Sequence, residues 1–425
     1  FDPDPPYSIE LDSYLPVLLP GETSGPQFPV ETTTGQAVEV AQVDELVLDN
    51  SLNTTGQTGT VTAQDITGLL TGVVYTGFES LRVLLGSGDD RLVVAGTHHG
   101  TTEVDAGAGA DVITVRTIDG HTRILAGAGN DTVEVGSTDG LLDLLAATLV
   151  VDGGSGTDRL LIDDSGDTGS NLGWLTGTTL TGLDMIARTA LDTLGRPLDL
   201  LYSVLPLAGV AQYTITLARL GLATALGSVT VDVATTTAAQ LAAALQDLLF
   251  PPAPGDDFGR ATSCGVAGES PCAPSVYVWE FGTGFLIGFR GEVNDPAAVR
   301  TITLTATGAG FPIDGYRRTD GIAYTGFETL ELGLGSGSDT LNIRGTGPVT
   351  GIDLGAGDDR VFVSSTADVR LGQAADFLTG TLDQLRGTLN LQLGSGGNTL
   401  LISDYDALTG DTDVLVTDRL AAARV

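Results

Sequence analysis

A short phrase recurs seven times along the chain: an aliphatic run, then G-x-G-x-D, then a second aliphatic run, as in VDAGAGADVITV at 104–115. Its paired glycines are Gly86/Gly88, Gly107/Gly109, Gly127/Gly129, Gly154/Gly156, Gly335/Gly337, Gly355/Gly357 and Gly394/Gly396. Two residues beyond the second glycine stand Asp90, Asp111, Asp131, Asp158, Asp339 and Asp359, and at the last turn Asn398. Asp90, Asp111 and Asp131 are 21 and 20 residues apart, and Asp339 and Asp359 are again 20 apart. That is the length of one coil of a solenoid rather than of a hairpin array, so each coil is expected to contribute one such turn.

The residues around each turn support this reading. Leu81 and Val83, Leu92 and Val94, Ile113 and Val115, and Val133 and Val135 alternate as short strands with one buried face. The glycines permit a tight corner where φ is positive or a neighbouring coil lies close. Coils that pair about 4.8 Å apart would bring the aspartates of successive turns within mutual repulsion. Calcium is the natural neutraliser, because a hard cation takes carboxylates together with the carbonyls of such corners. Asp105, Asp152 and Asp353, two residues before the first turn glycine, and Asp89 and Asp358 beside the main column, add further acids. Two readings stay open for them: cation ligands, or side chains capping their own turn N–H groups.

The segments AGAGADVIT, GGSGTDRLL and GAGDDRVFV resemble the glycine- and aspartate-rich nonapeptide repeats of RTX proteins, G-G-x-G-x-D-x-U-x. The resemblance spans seven turns in two blocks, residues 75–165 and 322–403. It implies a calcium-bound parallel β-roll, with metal at Asp90, Asp111, Asp131, Asp158, Asp339 and Asp359, and secondarily at Asp105, Asp152 and Asp353. This chain departs from the family in having one turn per coil. Only Gly153-Gly154 carries the full double glycine, and Asn398 replaces the carboxylate of the last turn.

Charge narrows the partners. The formal charge is −35, from 54 acids against 19 bases, and every base is an arginine. Without lysine there is no Schiff-base or lysine-base chemistry, and so acidic a surface repels nucleic acid and anionic lipid. Divalent cations are the expected small partners. No stretch approaches the roughly 18 apolar residues of a membrane span, so membrane insertion is not expected. Cys264 and Cys272 bracket a short loop with no histidine nearby. A disulfide there would stabilise by about 2.5 kcal/mol in the chain-entropy model and would require an oxidising compartment.

Taken in order, residues 1–36 are a proline-rich extended arm, too apolar to float free. A longer motif opens with DELVLDNSLNTTG at 44–56 and closes on VVYTGFESLRVLLGSGDD. It restarts with DRLLIDDSGDTGS at 158–170 and IAYTGFETLELGLGSGSD from Ile322, and opens again at NTLLISD from Asn398. Residues 184–321 interrupt the second repeat with a domain-sized insert. Within it, Thr237-Ala238-Ala239-Gln240 is a capping box starting a helix over 237–250. The expected fold is therefore all-β: a parallel β-solenoid in two blocks, 37–183 and 322–425, around a β-rich, sandwich-like insert with one helix.

The expected function is structural and non-enzymatic: a subunit or segment of a calcium-stabilised extracellular surface fibre, filament or layer, assembled head to tail with itself or continued in a longer repeat chain. Two alternatives stand beside it. An adhesin would bind its ligand through the insert, where Trp279, Phe281, Phe285 and Phe289 form the candidate patch. A polysaccharide-modifying β-helix enzyme would need a base beside clustered carboxylates. The chain offers no nucleophile–base constellation, and His98, His99 and His121 are expected at the surface.

Overall fold

The computed structural model describes residues 44–69, 72–185, 200–219, 225–249, 276–289, 302–310 and 321–408. The arm at 1–36 and the cysteine pair lie outside the described residues. The first strands are β1 (Glu45–Asp49), β2 (Thr58–Val61), β3 (Asp65–Thr67), β4 (Val73–Val74), β5 (Ser80–Leu84), β6 (Arg91–Val94), β7 (Thr101–Asp105), β8 (Val112–Val115) and β9 (Thr122–Leu125). Then come β10 (Ala128–Gly129), β11 (Thr132–Val135), β12 (Leu149–Asp152), β13 (Ser155–Gly156), β14 (Arg159–Asp163), β15 (Leu172–Leu175) and β16 (Thr179–Gly182). The insert contributes β17 (Leu200–Pro206), β18 (Gln212–Arg219), β19 (Ala225–Asp232), α1 (Ala238–Leu249), β20 (Val276–Phe281), β21 (Gly284–Phe289), β22 (Ile302–Thr307) and β23 (Ala309–Gly310). The last strands are β24 (Ile322–Thr325), β25 (Thr329–Gly333), β26 (Thr340–Ile343), β27 (Val349–Asp353), β28 (Arg360–Val363), β29 (Leu389–Gln392) and β30 (Thr399–Ile402).

The described residues fall into two compact units, one of residues 44–46, 75–81, 200–219, 225–249, 276–289 and 302–310, the other of 47–69, 72–74, 82–185 and 321–408. The second is dominated by two long sheets. One has eleven strands in the order β1-β5-β7-β9-β12-β24-β16-β15-β26-β28-β30, the other ten in the order β29-β27-β25-β14-β11-β8-β6-β2-β3-β4. From β5 to β14, and again from β24 to β30, the main strands fall alternately in the two sheets, and neither sheet closes on itself. β6, β8, β11, β14 and β25 pair in parallel, which sets Leu92, Ile113, Val133, Leu160 and Leu330 in one row and Val94, Val115, Val135, Ile162 and Leu332 in another. All ten are at most 2% exposed. Burying each such side chain is worth about 1.5–3 kcal/mol, and only an unbroken register keeps the rows in the core.

The two blocks do not stand apart. β12 pairs in parallel with β24 and β14 with β25, so strands on either side of the insert continue the same two sheets. The pairs β2–β3 and β15–β16 are antiparallel hairpins at equivalent places of the repeat, and β15–β16 wedges between β24 and β26. The repeat also exchanges sheets: its opening strand is β1 in the eleven-stranded sheet, β14 in the ten-stranded one and β30 in the eleven-stranded one again.

The glycines of the turns are required by contact as well as by φ. Gly127 and Gly129 have φ of 100° and 149°. A Cβ on either would strike the carbonyl oxygen of Gly107 or Gly109 in the preceding turn.

In the other unit, β20-β21-β17-β23 and β19-β18-β22 form two sheets. Their shared core includes Tyr202, Ile215, Leu241, Leu245, Ile287 and Phe289. The helix start is capped both ways: Gln240 N–H donates to Thr237 Oγ1 at 3.3 Å, and Thr237 N–H donates to Gln240 Oε1 at 3.0 Å. Trp279, Phe281, Phe285 and Phe289 are all buried, so they present no aromatic patch.

Candidate metal centre and the aspartate column

The turn aspartates are linked one to the next, each accepting from the backbone of the turn before it. Asp90 N–H donates to Asp111 Oδ1 at 2.7 Å, Asp111 N–H to Asp131 Oδ1 at 2.8 Å, and Asp131 N–H to Asp158 Oδ1 at 2.8 Å. The same bond continues from Asp339 to Asp359 at 3.0 Å and from Asp359 to Asn398 Oδ1 at 2.8 Å. At the top of each run an amide residue begins the ladder, Gln57 N–H onto Asp90 and Asn171 N–H onto Asp339. Between the runs, Asp158 N–H donates to Glu328 Oε2 at 2.7 Å, so a glutamate from the YTGFE segment takes the aspartate's place.

This column is buried. Asp90, Asp111, Asp131, Asp158, Asp339 and Asp359 are 0–3% exposed. Oδ2 of Asp111, Asp131, Asp158 and Asp359 is buried with no hydrogen-bond partner. A carboxylate so placed resists ionisation, since its charge is out of water and beside others of the same sign. Burial pushes Asp111 and Asp339 up to about 6, the neighbouring carboxylates adding to the effect. Asp131, Asp158 and Asp359 are raised too, again chiefly by burial.

The flanking acids cap local turns. Asp105 Oδ1 accepts from Gly107 N–H at 3.1 Å, Asp152 Oδ1 from Gly154 at 3.0 Å and Asp353 Oδ1 from Gly355 at 3.1 Å. Asp89 and Asp358 instead span coils, accepting from Ala110 and Gly397 N–H. His121, expected at the surface, is 3% exposed, and its Nδ1 accepts from Thr148 N–H at 3.2 Å. His99 lies 3.2 Å from Asp119.

Among the described residues, one group of acidic side chains has its ligand atoms close enough to hold a metal ion, and it lies away from the predicted turns. Asp143, Asp164 and Asp167 bring one oxygen each within 4.8 Å of the others. Asp143 sits on the loop before β12; Asp164 and Asp167 sit on the loop after β14. Asp164 is fully buried, with Oδ1 accepting from Leu142 N–H at 3.1 Å. Burial, and then the charges of Asp167, Asp143 and Asp339, push it up to about 7. The Asn171 amide and the Gly169 N–H hold Asp167 below the ordinary carboxylate range. These residues carry no G-x-G-x-D signature. Their signal is the doubled acid in LLIDDSGDTGSN, where the first repeat reads LVLDNSLNTTGQ.

No helix among the described residues is long and apolar enough to cross a membrane. A scan against protein-family models finds no match, and searches of curated proteins and of solved structures find none either.

Proposed function

We propose that this chain is a structural segment of an extracellular surface array: a parallel β-solenoid of RTX-like coils, stabilised by calcium, whose modules add end to end. The observation that carries the reading is an internal junction whose halves recur at the sheet ends, uncovered among the described residues. Residues 141–163 and 381–403 are the same element. Leu142 N–H donates to Asp164 as Leu382 N–H does to Asp404, and Ala146 N–H reaches Ile118 as Arg386 N–H reaches Thr346. In the first copy β12 is covered by β24, and Leu149 and Val151 are fully buried. In the second, β29 is the last strand of its sheet, half exposed along its length. β24, which covers β12, matches β4, and β4 is the last strand at the opposite end of the β29 sheet, with Val74 83% exposed.

The two edges, free among the described residues, therefore have the chemistry of the pair β12–β24, which predicts that β4 of a second copy docks on β29 in parallel, Val74 beside Asn390. The contact is heterologous, joining unlike edges head to tail, so a dimer still carries one β4 edge and one β29 edge for further copies. Cations suit the acidic surface and the orphaned carboxylate oxygens, and calcium is the hard ion that takes oxygen donors in irregular number. Sedimentation velocity with calcium tests assembly: the chain is expected to form a concentration-dependent series of oligomers, and Val74→Asp, at an exposed position, to abolish it. A chain that stays monomeric at high concentration, or a variant that assembles as well, contradicts the reading.

A further inference from the structure

Three loops of this fold are built alike and differ in charge. Residues 49–57 and 163–171 share their hydrogen bonds: Ser51 and Ser165 N–H donate to Asp49 and Asp163 Oδ1, and Asn53 and Asp167 N–H to the carbonyls of Asn50 and Asp164. Thr55 and Gly169 N–H donate to Oδ1 of residues 53 and 167, and Gln57 and Asn171 N–H to Asp90 and Asp339. At the first loop the side chains at the matching places are Asn50, Asn53 and Gln57; at the second they are Asp164, Asp167 and Asn171. The backbone therefore does not need acids there. Acids nonetheless stand in the second loop, and the loop from the coil before brings a third, Asp143, against them. At the third loop, Asp404 and Asp383 take the places of Asp164 and Asp143, and alanine (Ala407) takes that of Asp167.

A second observation is independent of the acids. Asn171 is 2% exposed, and its Oδ1 is buried with no hydrogen-bond donor. Its Nδ2 reaches Asp167 Oδ2 at 2.8 Å and Asp164 Oδ2 at 3.4 Å, so the amide lies inside the acidic group. On the Gly169 side, the place a Cβ would occupy is 3.1 Å from Asp167 Oδ1 and 3.7 Å from Asn171 Oδ1. Both oxygens thus lie within 4 Å of one point beside Gly169. An unpaired buried carbonyl oxygen costs about 1–3 kcal/mol. A hard cation would satisfy it and neutralise the carboxylates together.

We propose that Asp143, Asp164, Asp167 and the Asn171 carbonyl oxygen bind one calcium-class divalent cation, which clamps the last coil of the first repeat to the opening loop of the second. Four protein oxygens leave positions for water, as calcium's six to eight ligands allow, and exposed Asp143 gives the ion its way in. The proposal sharpens the cation part of the preceding reading by naming its site, and its test does not depend on assembly.

Terbium, a luminescent calcium substitute, reads the site directly, because Trp174 stands three positions beyond Asn171. The full chain with Val74→Asp, kept from assembling, is titrated with terbium and then with calcium. The expected result is tryptophan-sensitised emission that calcium displaces, weakened at least tenfold in affinity by Asp164→Asn or Asp167→Asn and lost in Trp174→Phe. Asp164→Asn reproduces the side chain that the first loop already carries at Asn50, so it should fold, which circular dichroism checks. Asp111→Asn, in the turn column, should leave the emission unchanged. Emission that is absent in the parent chain, or indifferent to the substitutions at 164 and 167, or lost with Asp111→Asn instead, overturns the assignment.

Discussion

At Asp111 the side chain is asked to do two opposed things: accept the Asp90 N–H from the turn before, and keep its second oxygen buried with no hydrogen-bond donor. An amide would do the first without the charge, and Asn398 does so for Asp359. Asp111→Asn is therefore expected to keep the fold and to be neutral or stabilising at pH 8 without calcium. Asp111→Ala, which leaves a buried N–H unpaired, should cost about 1–3 kcal/mol; urea unfolding of the two variants compares them. The sign of the pH dependence follows from the same burial. Asp111 and Asp339 hold their protons to about 6 and Asp164 to about 7, against 3.8 for an ordinary aspartate. The folded state thus binds more protons than the unfolded chain between pH 4 and 7. That contribution is complete below pH 4 and is lost as pH rises through 6 to 7. The calcium-free protein should melt higher at pH 5 than at pH 8; a Tm that falls steadily on acidification contradicts it. The aspartate period was legible in the sequence because a repeat shows its spacing. The direction in which each side chain reaches was not, since capping one's own turn, capping the neighbouring coil and holding an ion all ask for the same residue.

The turn between two strands is the element that sets the coil. Gly129 combines a φ of 149° with a position where any Cβ meets the Gly109 carbonyl oxygen. Gly129→Ala should cost at least about 2 kcal/mol, because strain and clash add and the neighbour that must move is backbone. Gly72, with a φ of 92° and open space around it, pays only the conformational term, so Gly72→Ala should cost distinctly less. Chemical denaturation of the two variants compares them directly, and equal costs would mean the coils are not stacked as closely as described. Strands and turns of this kind read well from sequence, since period-2 alternation and paired glycines are local signals. The hairpin β15–β16 did not, although GWLTGTTLTGL matches GTVTAQDITGL. Its place between β24 and β26 is decided by partners far along the chain, and no local pattern names them. The acidic group at Asp143, Asp164 and Asp167 escaped for the same reason, its two loops following β11 and β14 and being brought together only by the register of those strands.

For the stack as a whole, the sequence showed two blocks and an insert, whereas the structure continues both blocks in the same two sheets through β12–β24 and β14–β25. That continuity gives the β29 and β4 edges their meaning, because the pair β12–β24 is a template for joining them; the other sheet ends in β1 and β30, two copies of the opening strand, so docking requires one of them to give way to the other. Its most direct test joins the two predicted partners. Paired residues of parallel strands lie about 4.8 Å apart, within the Cα separation of a disulfide. With Cys264 and Cys272 replaced by serine, chains carrying Val74→Cys alone and Asn390→Cys alone are mixed and oxidised in calcium. Cross-linked dimers are expected from the mixture and not from either variant by itself, with the bond mapped by mass spectrometry to positions 74 and 390. Equal cross-linking within each single variant, or none in the mixture, would contradict end-to-end stacking.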